Sequence, residues 1–430
     1  MPSGSTTTVG PASALRGLVR IPGDKSISHR YAMLSAMAEG TSRFHNFSAA
    51  QDCYSTLGCV GTLGCAWSRK DGGIIEVVGR GPKLESPAQP LDCGNSGSTI
   101  RMLSGILAGQ PFTTELFGDE SLSRRPMARI MKPLSEMGAK LEAQEGGRPP
   151  LRIHGGPLRA IHYKPEVASA QVKTCVLFAG LFAEGETSVE EPIRTRDHGE
   201  LALRAFGVQV ERSGNTARIK GGQRLHAIEA HVPGDLSSAA FFLCAAALYP
   251  GSQLTLPGIL MNPTRARLLD ILIQTGMKIS VAQLEEHHGE LIGTIEARGG
   301  IWKGGTISGA DTAALIDEIP VLAATAPYTE NGLEVRDAKE LRVKESDRIA
   351  AVATNLRKMG AEVEERPDGL RIAGRQRLHG AELDSFGDHR IAMAFAIAAL
   401  RAEGETMIHG AEAAGVSYPA FFEDLKAIAS

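Results

Sequence analysis

At 430 residues the chain is longer than one hydrophobic core usually serves, which predicts two domains with a cleft between them. Its 43% hydrophobic and 22% charged residues exclude extended disorder, and a net charge of −3 excludes a general nucleic-acid binder, so any attraction for anions must be local. The longest apolar stretches, around Ala239 to Leu248 and Ile391 to Leu400, fall short of the roughly 20 residues that span a bilayer, so no membrane anchor is expected.

The opening MPSGSTTTVG has neither a basic start nor an apolar run and reads as a loose tail, not a secretory signal, which places the protein in the cytoplasm. From Pro22, PGDKSISHRYAMLSAMAEGTSRFHNF predicts Gly-Asp, a helix, a glycine and a strand. Lys25, Ser26, Ser28, His29 and Arg30 crowd the first turns of that helix; cations are disfavoured at the positive end of a helix dipole unless an anion is bound there. A variant of the unit begins at Gly94 with GNSGSTIRMLSGILAG. SLSRRPMARIMKP then collects Arg124, Arg125, Arg129 and Lys132 around Pro126, and the arginine fork suits carboxylate and phosphate.

The unit recurs from Ser169 (SAQVKTCVLFAGLFAEGETSVEE), Val232 (VPGDLSSAAFFLCAAALYPGSQLTLPG), Asp317 (DEIPVLAATAPYTENGLEVRD) and Phe386 (FGDHRIAMAFAIAALRAEGETMIHG), the last placing His389 and Arg390 at a helix start. Second, amphipathic helices end in a glycine stop in LSEMGA (134–139), LRAFGV (203–208), LLDILIQTGM (268–277) and LRKMGA (356–361). LRVKESDRIA is expected to set Lys344, Glu345 and Arg348 on one helical stripe, although a solvated ion-pair ladder has the same pattern. About six copies of a β, α, β, α and further-strand unit thus recur at roughly 70-residue spacing. Each first helix starts with Asp, Asn or Ser followed by small or polar residues; one such start is an ordinary cap, but several converging would bind anions. Cys53, Cys59, Cys65, Cys93, Cys175 and Cys244 have neither a CxxC pair nor histidines at zinc spacing, which predicts reduced, buried thiols and no metal.

Eight segments in order, GDKSISHR, GNSGSTIR, RPM, SAQVK, TRDH, IDEIPVLA, LRVKESDR and GDHRIAM, give a chain that resembles the enolpyruvylshikimate-phosphate synthase family over nearly its whole length. The resemblance implies an α/β fold: a two-domain inside-out α/β barrel of six βαβαββ repeats, three per domain, with helix N-termini facing the inter-domain cleft. One domain would run over 24–233 and a discontinuous one over 1–23 and 234–430. It also implies that the 5-hydroxyl of shikimate 3-phosphate adds to C2 of phosphoenolpyruvate, giving a tetrahedral ketal phosphate that eliminates phosphate. By similarity Asp317 is the general base, and Glu345, Lys25 and Lys344 are candidates for proton traffic at the methylene. The positions matching the phosphoenolpyruvate ligands are Lys25, Gly97, Arg125, Gln171, Arg348 and Arg390. Those matching the shikimate 3-phosphate ligands are Lys25, Ser26, Arg30, Ser169, Gln171, Arg196, Asp317 and Lys344.

The family needs no cofactor, and a monomer is expected; glyphosate, which competes with phosphoenolpyruvate in the family, should fit beside Gly97. Ala170, Ser98 and Val416 depart from residues common in relatives and bear on single contacts. The sister transferase acting on UDP-N-acetylglucosamine fits less well, because it typically has Lys-Asn where Lys25-Ser26 stands and a reactive cysteine in the loop that here reads SLSRRPMAR. A non-catalytic anion-binding protein on the same scaffold would have little use for the carboxylates of Asp317 and Glu345.

Overall fold

The computed structural model describes residues 5–429. The chain has α/β architecture and divides into two compact units: a first-half unit of Gly23–Val232 with Glu286–Glu290, and a second-half unit of the chain up to Pro22, Pro233–Glu285 and Leu291 onward.

Three sheets of one plan build the first-half unit. Thr41–His45, Thr113–Phe117 and Glu186–Glu190 each have a parallel strand on one side (Glu229–His231, Leu91–Asp92 and His162–Tyr163) and an antiparallel pair on the other. Glu229–His231, the last strand of Gly23–Val232, pairs with the first sheet and closes the cycle. Strands such as Thr41–His45 and Arg148–His154 alternate exposed and buried residues, so one face of each sheet is in the core and the other in water. The core helices Lys25–Met37, Gly97–Ala108 and Ala170–Gly180 are buried nearly all round after their first residues, which is why their sequences lack a polar stripe. Gly105 permits close helix packing: a Cβ there would stand 2.1 Å from the Cys175 carbonyl oxygen.

The second-half unit repeats the plan around Gln253–Leu260 and Leu333–Val335, with parallel partners Arg16–Leu18 and Gly305–Ile307. In its third sheet Thr406–His409 pairs in parallel with Glu382–Asp384 and antiparallel with Thr6–Val9. The start of the chain is therefore not a loose tail over residues 6–9. Thr-Thr-Thr-Val is β-branched throughout, and such residues pack well in a pleated strand; positions 1–4 lie outside the described residues.

All twelve residues of the helix Leu236–Ala247 are buried, and the rings of Phe241, Phe242, Tyr418 and Phe421 pack with centroids 5.7–5.9 Å apart. Each fully buried phenylalanine contributes roughly 1.5–3 kcal/mol from the area it removes from water. The second helices Ala128–Glu136, His198–Ala205, Arg267–Gln274 and Arg348–Lys358 are followed by Gly138, Gly207, Gly276 and Gly360 at positive φ, the stop that the sequence predicts. All six cysteines are free and buried. Among the described residues no helix is long and apolar enough to cross a membrane.

Candidate active site

Five of the helix starts singled out from sequence carry side-chain caps, and so does the helix Arg348–Lys358, whose start the sequence reading places elsewhere. In the first-half unit Asp24, Ser96 and Ser169 accept from the backbone N–H of Ile27, Thr99 and Val172 at 2.9, 3.0 and 3.4 Å. In the second-half unit Asp235, Asp347 and Asp388 accept from Ser237, Ala350 and Arg390 at 2.8, 3.0 and 2.9 Å. A cap satisfies one or two of the four orphan N–H groups and leaves the others for a ligand. The helix Ile319–Thr325 differs: Glu318 precedes it without a side-chain cap bond, and Asp317 lies outside the helix.

In the first-half unit Lys25 Nζ is 3.0 Å from Asp52, a carboxylate that offsets its unfavourable place at the dipole's positive end. Arg30 is 3% exposed and donates to the Ser26 carbonyl (2.8 Å) and to Thr174 Oγ1 (3.0 Å), while its Nε is buried without a hydrogen bond. Burial pulls its pKa down to about 10, aided by the Arg196 charge and opposed by Asp24, Glu200 and Glu290. His29 is buried with Nδ1 2.7 Å from Thr56 Oγ1. Burial, with the charges of Lys25 and Arg30, holds its pKa well below the usual histidine value, so it is neutral.

Gly97 is the point where several ligand candidates meet. A Cβ there would be 2.7 Å from an Arg101 guanidinium nitrogen and 3.4 Å from one of Arg125, so the bare backbone lets two cations approach a helix start. Arg125 is held by Asn95 Oδ1 and Ser121 Oγ, both at 3.0 Å. Gln171 accepts from Arg101 at 3.0 Å and donates to Ser98 Oγ at 2.9 Å, which gives the departing Ser98 a defined role.

Arg101 is absent from the residues picked by sequence, although it closes GNSGSTIR and lies one helical turn from Gly97 on the same face. The other members of the basic quartet disperse: Arg124 pairs with Glu120, Lys132 pairs with Glu166 at 3.1 Å, and Arg129 is exposed. Arg124 follows the helix Glu120–Ser123 while Arg129 and Lys132 belong to the helix Ala128–Glu136, and exposed pairs of this kind contribute about 0–1 kcal/mol.

Ser169 serves as a cap, and Arg196 is half-buried on the TRDH turn. That turn is braced from below. Thr195 Oγ1 donates to Glu191, and Lys173, buried in the core, lies 2.9 Å from both Glu191 and Glu200, with Arg212 2.6 Å from Glu200. The lysine of SAQVK is thus a structural cation; breaking such a buried network costs several kcal/mol because it strands a charge.

In the second-half unit Arg348 gathers the carboxylates. It is 1% exposed and donates to Asp388 (Nε, 2.8 Å) and Glu345 (NH2, 2.6 Å), while NH1 makes no hydrogen bond and Asp317 Oδ1 stands 3.7 Å from it. Burial works against the charge, but Asp388, Glu345 and Asp317 outweigh it and raise the Arg348 pKa. Asp388, which burial would keep protonated, is held below the usual carboxylate range by Arg348. Arg390 donates to the Asp317 carbonyl at 2.8 Å and lies 3.8 Å from its carboxylate.

The expected stripe of Lys344, Glu345 and Arg348 does not form. Asp347 caps a helix that begins at Arg348, and Lys344 is extended, with Nζ 3.2 Å from Glu340. A cap residue requires non-helical backbone, so the helix cannot extend back through Asp347. Glu345 still reaches Arg348, whereas Lys344 points to a different carboxylate.

The chain matches the family model of EPSP synthase (3-phosphoshikimate 1-carboxyvinyltransferase) over residues 9–425. It is 61% identical to the 3-phosphoshikimate 1-carboxyvinyltransferase of Koribacter versatilis (strain Ellin345), with 98% of each chain covered. It is 58% identical to that of Solibacter usitatus (strain Ellin6076), with 98% of this chain and 99% of the relative covered. Among solved structures it is similar to the EPSP synthase from Acinetobacter baumannii, with a TM-score of 0.88 at 41% identity, covering 99% of this chain and 98% of that one.

Proposed function

The chain belongs to the EPSP synthase family, and from that premise we propose that it transfers the enolpyruvyl group of phosphoenolpyruvate to the 5-hydroxyl of shikimate 3-phosphate. The observation that carries the chemistry is Arg348, a buried guanidinium with one undonated NH1, ringed by Asp317, Glu345 and Asp388. A cation held this rigidly offers a fixed donor to an oxyanion, and the carboxylates beside it supply bases.

In the addition step Asp317 takes the proton of the 5-hydroxyl as its oxygen bonds to C2 of phosphoenolpyruvate, and a proton passes to the methylene carbon. In the elimination step the C2–O bond to phosphate breaks and the new methyl group loses a proton, restoring the enol double bond. Glu345 and Lys25 carry the methylene proton in this scheme. Shikimate 3-phosphate is assigned Lys25, Ser26, Arg30, Ser169, Gln171, Arg196, Asp317 and Lys344. Phosphoenolpyruvate is assigned Lys25, Gly97, Arg125, Gln171, Arg348 and Arg390, with Arg101 added as a fourth arginine beside Gly97.

The same reading makes the fold an inside-out barrel of six βαβαββ repeats in a cytoplasmic monomer; five four-stranded sheets of one pattern and a three-stranded sixth support the repeats. Glyphosate is proposed to compete with phosphoenolpyruvate, and full activity in excess glyphosate would reject that part. The chemistry is tested by Asp317→Asn, which keeps the side-chain shape and removes the base. Turnover should fall about 10²–10⁴-fold with the melting temperature little changed. Activity within about threefold of the parent would remove Asp317 from the mechanism.

A further inference from the structure

The first-half unit includes five residues from far along the chain, Glu286–Glu290, at the turn between the strands Lys278–His287 and Glu290–Arg298. Several contacts seat this turn. His288 Nε2 is 3.1 Å from the Glu229 carbonyl oxygen, and a Cβ on Gly289 would be 3.0 Å from Leu201. Glu290 Oε1 lies 2.6 Å from His198 Nδ1, with the two side chains 3% and 0% exposed.

His198 opens the helix His198–Ala205, two residues after Arg196. The next residue, Gly199, packs so tightly on Thr174 that a Cβ would stand 2.6 Å from its hydroxyl, and that hydroxyl accepts from Arg30 at 3.0 Å. One buried carboxylate thus fixes a helix start with Arg196 on one side and the hydrogen-bond partner of Arg30 on the other. A carboxylate is costly to bury, so its place against His198 is well defined.

Resting on the assignment of Arg30 and Arg196 to shikimate 3-phosphate, we infer that Glu290 is a positioning residue for that substrate, acting through His198. It touches no substrate itself. Its effect is confined to the acceptor, because neither arginine belongs to the phosphoenolpyruvate set.

The test is steady-state kinetics of the full-length protein with both substrates varied. Glu290→Ala should raise KM for shikimate 3-phosphate about tenfold and leave KM for phosphoenolpyruvate within about twofold. Glu290→Gln, which still accepts from His198, should restore the acceptor KM to within about twofold of the parent. Glu290→Asp keeps the charge but draws it back by one methylene, and should raise the acceptor KM about threefold; it carries the test if the alanine variant does not fold. An unchanged acceptor KM in Glu290→Asp and in any folded Glu290→Ala, a parallel rise in both KM values, or a glutamine variant as impaired as alanine would overturn the inference. A parent protein with no turnover would instead reject the proposed function.

Discussion

Arg348 and His29 are both buried beside charged groups, and they resolve burial in opposite ways. Arg348 keeps its charge because three carboxylates surround it. His29 sits near two cations and gives its proton up. Its folded pKa is therefore below its unfolded value of about 6.5, so between the two the unfolded chain binds a proton that the folded protein does not. Stability is lost as pH falls through about 6.5 and goes on falling until the depressed folded pKa is reached, at up to about 1.4 kcal/mol per pH unit. His29→Asn should flatten that part of the curve of unfolding free energy against pH; an identical slope in parent and variant would show that His29 is not the group responsible. Residue identities at such points were only partly legible in the sequence. Gly97, Arg125 and Gln171, which the resemblance implies as ligands, stand near one another, while nothing in the sequence marks Arg101 as facing Gly97 until Gln171 is placed beside it.

Helix starts were the most legible elements, since a cap is a local matter of one side chain and an N–H two or three residues on. Their energetic weight still depends on surroundings. Asp119 is an exposed cap, bonding Leu122 N at 2.8 Å, and Asp119→Ala should cost about 1 kcal/mol. Asp388 caps Arg390 and also neutralises buried Arg348, so Asp388→Ala should cost about 3–5 kcal/mol in urea unfolding. Equal costs for the two variants would mean that the Asp388–Arg348 pair adds nothing beyond capping. Because the folded pKa of Asp388 is depressed, its contribution is complete above its unfolded value, about 3.9, and disappears as pH drops through the lower folded one. The element misread from sequence was the stretch 344–348, where a helical stripe and a cap compete for the same residues. Ser346 settles it by donating to Asp388 at 3.0 Å, alongside the Asp347 cap that starts the helix at Arg348.

At the scale of the whole molecule, the repeat order of strand and helix is visible in the sequence because three units open on Gly-Asp, three on a variant polar start, and most carry a buried helix and a glycine stop. Long-range closures are not written in the local pattern; only the family resemblance implies that residues 1–23 go with 234–430. Nothing in Thr6–Val9 indicates its partner Thr406–His409, and EEHHGE at 285–290 reads as an ordinary hairpin turn, although five of its residues complete the first-half unit. Both depend on pairing between distant stretches, which local propensity does not encode. The central claim, that this chain joins phosphoenolpyruvate to shikimate 3-phosphate, is tested most directly by phosphate release from the purified protein. Phosphoenolpyruvate would be supplied with shikimate 3-phosphate in one reaction and with UDP-N-acetylglucosamine in another. Release only with shikimate 3-phosphate is the predicted result; release only with the sugar nucleotide, or with neither, would contradict the account.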